Sequence, residues 1–536
     1  MSMEIGGKMR GVKKRRLLAV FLLSILAAVA VAPSYHASAR DKINFNPSAR
    51  KLPSNEEIFG WIKDLCNLGI RRPGTEADHK ATQYILEKFK EFGLTDAHLE
   101  PVNMPLWTAE KWSLTVDGKE IPCFYISHSG WLKEYEGFTA GPAGITAEMV
   151  YVGKGAKKDY KKVDVRGKIV LCDVRFLSLY QSDSNNVSYF ANDPDNTLPD
   201  DWHQPNPYIS YNFPRSLYRA AERGAVGFVG ILTDYLDRNT YYNELYEEKP
   251  CLMRIPGLWL SKSDGARVKA LLKNGSAVKA KLVLDGKITP SVANNVVGFL
   301  KGKTDDIILV HSHHDAPWAS AVEDASGVSE VLALAKYFGQ VPAGKREKTL
   351  MFVTTDTHFF TYQAHNDLIK KIKEKKMNVI LDICIEHIGK EIVEKDGKIV
   401  ETGFVEPRGI FITENPYLIS ITKQSVVKNR LGRIVLLPTY TPLGVPTDAG
   451  GFNRAGIPII SLISPPIYIY DQIDTPDKVA VSELNPVATT FADIIESLDP
   501  LPAGAINKRS WIPKYRFRFY RGALLFLKEQ IKRSKS

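Results

Sequence analysis

The segment HSHHDAPWASAVEDASG, His311 to Gly327, carries three histidines and three carboxylates within seventeen residues. Imidazole and carboxylate together, without a thiolate, form the donor set of zinc or another borderline divalent ion. Further ionisable side chains follow or end apolar runs later in the chain: Asp356 and His358 after TLMFVTT, Asp382 and Glu386 in LDICIEH, Asp448 in VPTDAGGF and Asp471 in YIYDQIDTPDKV. If those runs are strands of one sheet, the polar groups gather at its mouth and repel one another unless a cation neutralises them. The chemistry expected of such a cluster is activation of water beside a polarised carbonyl.

The elements that must position these groups are readable from the apolar pattern. VVGFL, DDIILVHS, KTLMFVTTD, NVILDICIE and GIPIISLIS read as buried strands, and the helical patterns between them predict an α/β domain whose sheet is mixed but largely parallel, with helices on both faces. DDIILV, Asp305 to Val310, delivers HSHHD to its carboxyl end. DASGVSEVLALAKYF then opens a helix capped by Asp324 or Ser326, with Val328, Val331, Leu332, Ala335 and Phe338 as its buried stripe. The cluster therefore lies on a strand-to-helix crossover, the edge at which open α/β sheets bind ligands. Upstream, SNEE (Ser54 to Glu57) is a capping box, and a second helix follows RRPGTEAD, with Ala81, Tyr84, Ile85, Phe89 and Phe92 at helical spacing and Gly93 placed to end it. Between Val116 and Leu284 the texture turns to short β-rich runs such as GKIVLCDV and GAVGFVGIL, and the polar, Asn- and Asp-rich stretch Ser182 to Pro207 reads as a loop.

A chain of 536 residues, 44% hydrophobic and 24% charged, has material for two or three globular units. KKRR (Lys13 to Arg16), sixteen mostly apolar residues (Leu17 to Ala32) and ASA (Ala37 to Ala39) form a secretory leader with a cleavage site. The apolar run is shorter than the roughly 20 residues of a membrane-spanning helix, though an uncleaved anchor is the other reading. The expected division is a signal peptide over 1–39, the first part of the main domain over 40–115, a β-rich insert over 116–290, the main part over 291–500 and a basic, aromatic tail over 501–536. Export implies a periplasmic or extracellular protein. Cys66, Cys123, Cys172, Cys251 and Cys384 are too few and too scattered for a disulfide framework, and no CxxC spacing offers a thiolate zinc site. The net charge of +11 owes much to the leader and to the tail, which either touches an anionic membrane surface or closes the fold as a solvated helix. An exported chain excludes nucleic acid as the partner.

With these residues in view, the chain resembles the co-catalytic zinc exopeptidases of the bacterial leucyl aminopeptidase and glutamate carboxypeptidase II type. RRPGTEADHKATQYILEKFKEFGL looks like the family's opening helix with its R-x-G-S/T turn, NNVVGFLKG like its lead strand, HHD like its H-x-D, and EDASG like its D-N-A-S-G. VPTDAGGFNRAGIPIISL and YDQIDTPDKV look like its S-D-x-x-x-F and Y-H-T-x-x-D-T, while VDVRGKIVL, AAERGAVGFVGI and IPGLWLSKSDGARV resemble a protease-associated insert domain. The resemblance implies one metal held by His313, Glu323 and Asp382, with Asp315 orienting the His313 ring. A second metal would take the bridging Glu323, the second residue of an E-E pair and a final His. Here the E-E pair falls on His358 and Phe359, and the final His on Asp471. Asp471 is a zinc-compatible replacement; Phe359 ligates nothing, so one zinc is expected rather than two.

The E-E glutamate that would abstract the water proton is also gone, and His358 or Glu386 is the substitute base. Of the remaining histidines, His311 is expected lower in the sheet, His314 pointing away from the metal and His365 on a helix surface, while for His387 a functional and a structural reading stand level. The expected function is a secreted zinc-dependent hydrolase acting on a peptide or small amide. The alternatives are a catalytically inactive homologue that binds a peptide or protein partner, and amide rearrangement at a single zinc.

Overall fold

Side chains alternate across each strand of the central sheet and fill two separate cores. Ile308, Val310, Leu350, Phe352, Ile383 and Ile385 join one core, and Ile307, Leu309, Met351, Val353 and Cys384 the other. Burial on both faces is the reason the strands read as continuous apolar runs rather than as alternating patterns. The computed structural model describes residues 51–533 except 131–139, 162, 245–252, 274–276 and 442–443, so the leader expected over 1–39 and Cys251 lie outside the described residues. Cys66, Cys123, Cys172 and Cys384 are free thiols. No helix among the described residues is long and apolar enough to cross a membrane.

Four strands run parallel at the centre of the sheet. Ile307–His313 lies between Thr349–Thr355 and Val379–Ile385, and Val379–Ile385 pairs in turn with Ile459–Ile463. The flanks are antiparallel: the end of Lys279–Leu300 pairs with Thr349–Thr355, and Arg408–Ile412 with Ile459–Ile463. The helix Gly327–Gly339 covers one face, and its buried surface extends beyond the expected stripe to Ala333 and Leu334. It is enclosed because the helices Asn55–Asn67 and Val481–Leu498 pack on its outer side. Gln363–Glu374, through Leu368, Ile369 and Ile372, and Ala449–Arg454, through Ala449 and Phe452, cover the other face. The first two helices carry the caps read from the sequence. Ser54 accepts from the Glu57 amide, Thr75 from the Asp78 amide, and Gly93 follows the second helix with φ +81°.

Two 22-residue strands, Thr95–Val116 and Lys279–Leu300, pair antiparallel from Thr95 opposite Phe299 to Val116 opposite Ala280. At about 3.3 Å per residue this ribbon runs roughly 70 Å and carries the central sheet on into a further set of strands, which join it where Gly141–Tyr151 pairs with Lys279–Leu300. There Gly141–Tyr151, Ile169–Val174, Gly227–Leu232 and Gly257–Leu260 lie parallel to one another. Residues 117–278 are thus joined to the central sheet through continuous strands, and the expected boundaries at 116 and 290 fall on the ribbon.

Two expectations need correction. Ser182 to Pro207 is not a plain loop: the helix Gln181–Val187 begins it, Phe190–Asn192 pairs with Ile434–Pro438 and His203–Ser210 with Phe176–Tyr180. Its Asn and Asp side chains supply local turn bonds, such as Asp193 accepting from Leu198 and Thr197, while its strand partner lies far along the chain. The closing segment is also more than a solvated helix. Within Pro513–Arg533, Tyr515 packs edge-on to Tyr189, Phe519 packs on Tyr440, and Arg516 pairs with Glu414.

Phe352 is fully buried in the strand beside Ile307–His313. Phe352→Ala should lower stability by about 3–5 kcal/mol, read as a shift of the urea unfolding midpoint.

Candidate metal centre

The strand Ile307–His313 ends on His313, and the chain leaving it is fixed by a fully buried arginine. The Arg71 guanidinium donates to the carbonyls of His314 (3.0 Å), Leu65 (3.1 Å), Ala319 (3.0 Å) and Ser320 (3.2 Å). The next turn, Ala321–Ser326, is held by two carboxylates. Asp474 accepts from the amides of Val322 and Glu323, both at 2.9 Å, and Asp324 accepts from Gly327 at 3.0 Å and His387 at 3.2 Å. These bonds aim the Glu323 side chain back across the end of the strand.

Glu323 meets two imidazoles there. His313 Nε2 lies 3.3 Å from Glu323 Oε1, and His387 Nε2 lies 2.5 Å from Glu323 Oε2. Both rings are oriented from behind: His313 Nδ1 donates to the Asp315 carbonyl at 3.1 Å, and His387 Nδ1 to the Ser464 carbonyl at 2.9 Å. Asp315 is itself held, accepting from the Phe359 amide at 3.0 Å. The two Nε2 atoms and both Glu323 oxygens are buried and align no hydrogen bond. Orphaned buried groups cost roughly 1–3 kcal/mol each. Their ligand atoms lie within 4.8 Å of one another, with the outer nitrogens tied as metal-binding imidazoles require, so the three residues fit a borderline divalent ion.

The electrostatics agree. Burial disfavours charge on Glu323, yet His387 and His313 hold its carboxyl well below the usual range. Burial likewise disfavours a charged His387, but Glu323 lifts it to about 9. Protons on the imidazoles neutralise Glu323 without an ion, and a bound cation replaces them.

His358 stacks on His313, with ring centroids 3.9 Å apart and 16° between planes. Its Nδ1 lies 2.9 Å from Asp448 Oδ1, and its Nε2 faces the Tyr362 hydroxyl (3.2 Å), Glu244 (3.4 Å) and Glu323 (3.7 Å). The other Asp448 oxygen lies 2.7 Å from His365 Nε2. His313, His358 and Asp448 also lie within metal-ligand reach of one another, but Asp448 is already bonded to two imidazoles. Its geometry is that of a carboxylate fixing the orientation of a base. Glu386 sits just past the end of Val379–Ile385, with an oxygen 3.4 Å from both Cys384 Sγ and the Asp448 amide. Burial and then Asp448 push it up to about 8.

Of the residues expected at the metal, the structure brings together His313 and Glu323, with Asp315 behind. Asp382 and Asp471 stand elsewhere. Asp382 lies inside Val379–Ile385 opposite Leu309 and pairs with His311 at 3.0 Å, lower in the sheet. Asp471 is neutralised from the insert, by Arg238 Nε and the Thr240 hydroxyl, each at 2.7 Å. His387, two residues past the strand end, is the third group at the centre; the EH pair after the apolar run was its signal. His365 is not on a helix surface: it is buried against Asp448. Phe359 is fully buried against Tyr242 and Tyr470, with ring centroids 5.8 and 5.4 Å away, so an aromatic cluster stands where the two-metal pattern needs a carboxylate.

Residues 295–388, which span His313, Glu323, His358 and His387, match the model of Peptidase family M28. Carboxypeptidase Q from Homo sapiens is 24% identical over 348 residues, 60% of this chain and 65% of that protein, and so is spanned over less than two thirds of its length. Carboxypeptidase Q from Mus musculus is 21% identical over 444 residues, 80% of this chain and 81% of the relative. Among solved structures, a Peptidase M28 precursor from Shewanella amazonensis superposes with a TM-score of 0.62 at 19% identity, covering 82% of this chain and 92% of that one. A zinc aminopeptidase from Bacillus subtilis does so with a TM-score of 0.59 at 18% identity, covering 85% and 99%. Residues 295–388 thus match Peptidase family M28, and the chain shares its overall fold with these solved peptidase structures.

Proposed function

We propose that this chain is a zinc-dependent hydrolase of peptide or amide bonds, exopeptidase-like, which works with one zinc held by His313, Glu323 and His387 and with His358 as general base. The observation that carries the reading is the convergence of three fully buried groups, the Glu323 carboxylate and two imidazoles whose outer nitrogens are already fixed. Zinc supplies, when bound, polarisation of the scissile carbonyl and a lowered pKa for water. The rest is done by the chain's own side chains. His358 presents Nε2 toward Glu323 and receives the proton of the attacking water. Asp448 holds Nδ1 protonated and stabilises the imidazolium, which returns its proton to the leaving amine. Glu386 bonds to the Asp448 amide and serves as a positioning residue rather than the base.

Support for a peptide substrate comes from the relatives, which are named carboxypeptidases and aminopeptidases. The basic, apolar leader of the sequence supports action outside the cytoplasm. A catalytically inactive peptide binder is the second reading, favoured by the packing of Phe359 on Tyr470. Turnover of aminoacyl-amides and dipeptides that a chelator abolishes and zinc restores supports the hydrolase; an inert, zinc-loaded protein supports the binder.

His358→Ala should lower kcat by about 10² to 10⁴ while the zinc at His313, Glu323 and His387 stays bound, measured by steady-state kinetics beside metal analysis. Zinc affinity at this centre should rise with pH from neutral through about 9, because His387 and His313 bind zinc as free imidazoles and neighbouring carboxylates hold the protons of both above the ordinary histidine range. Calorimetric titrations in buffers of different ionisation enthalpy should therefore record proton release on zinc binding near neutral pH.

A further inference from the structure

The residue after His313 belongs to a second grouping that the reaction does not use. His314 Nε2 lies 3.5 Å from Asp78 Oδ1 and 3.6 Å from Asp356 Oδ2. All three side chains are fully buried, and their ligand atoms fall within 4.8 Å of one another. Their outer atoms are occupied. His314 Nδ1 is 3.1 Å from the Thr354 hydroxyl, Asp78 Oδ2 accepts from the Gly74 amide at 3.0 Å, and Asp356 accepts at Oδ1 from the Thr357 amide (2.6 Å) and, at the Oδ2 that faces His314, from the Asn294 amide (2.9 Å). Within this frame, His314 Nε2 and Asp78 Oδ1 are buried, 3.5 Å apart and align no hydrogen bond.

The spacing suits a cation better than a hydrogen bond. Separations of 3.5 and 3.6 Å exceed the 2.7–3.2 Å of a hydrogen bond, yet come close to the roughly 3.4 Å between two donors on a tetrahedral ion with bonds of about 2.1 Å. One imidazole and two carboxylates are again a donor set for zinc, each donor braced from behind. We propose that Asp78, His314 and Asp356 bind a second zinc-type divalent cation, with water as the fourth donor, at a structural site separate from the catalytic centre. The site pins the first turn of the helix Glu76–Glu91 to the carboxyl ends of the two strands that deliver His313 and His358. The competing occupant is a proton, since burial and the charges of Asp356 and Asp315 push Asp78 toward its neutral form.

The test is the zinc content of the full chain after equilibration with zinc and removal of the unbound metal. Two equivalents are expected in the wild type, and one in each of His314→Gln, Asp78→Asn and His387→Gln. Asp78→Asn keeps an oxygen for the Gly74 amide and so guards against a folding defect in His314→Gln. Zinc content equal to wild type in both His314→Gln and Asp78→Asn overturns the proposal, as does a wild type with no zinc. A single equivalent lost in His387→Gln but kept in Asp78→Asn overturns this site and leaves the catalytic reading standing. A single equivalent lost in Asp78→Asn but kept in His387→Gln supports this site and removes the catalytic one.

Discussion

Glu323 lies without solvent among three imidazoles, those of His313, His358 and His387, and the need to neutralise its buried charge organises the edge of the sheet around it. A carboxylate removed from water is costly unless charges or hydrogen bonds meet it. Each neighbour is accordingly held by something further out: His313 by Asp315, His387 by Ser464, His358 by Asp448, and Asp448 by His365. The backbone that presents Glu323 is pinned by Asp474, and the loop before it by Arg71. Each contact at the centre therefore rests on a second one set back from it, which is the arrangement that gives a metal site its geometry.

Residues 238–244 border the same centre. Glu244 approaches His358 Nε2, and Arg238 and Thr240 bind Asp471. Tyr241 and Tyr242 pack on Tyr470 and Phe359, extending the aromatic wall beside the centre. The segments after residue 300 present His313, Glu323 and His387, and residues 238–244 add charged neighbours and part of the hydrophobic rim.

How much of this was legible in the sequence follows from which facts are local. His313 and Glu323 could be named because a strand end and a cap-like turn are both short-range signals. The third group depended on where the next strand stops. Asp382 and His387 flank the end of the same apolar run, and only the register, Asp382 opposite Leu309, shows that the strand continues through Ile385. The partner of Asp471 was invisible because Arg238 comes from the insert, 233 residues earlier. His365 looked like a surface residue because a helical pattern alone does not say that Asp448 will face it. The alternation into two cores was legible as continuous apolar strands, whereas the elements within Ser182 to Pro207 were masked by turn-forming side chains.

The long ribbon has a consequence for the order in which the chain is made. Thr95 and Phe299 face each other although 204 residues separate them. At roughly 5–20 residues per second, the ribosome needs on the order of 10–40 s to make that intervening stretch. Throughout that interval Thr95–Val116 is a strand whose main partner has not been synthesised, the kind of bare edge on which nascent chains associate wrongly. A growing polypeptide of this design must be kept from its neighbours until Lys279–Leu300 has been made.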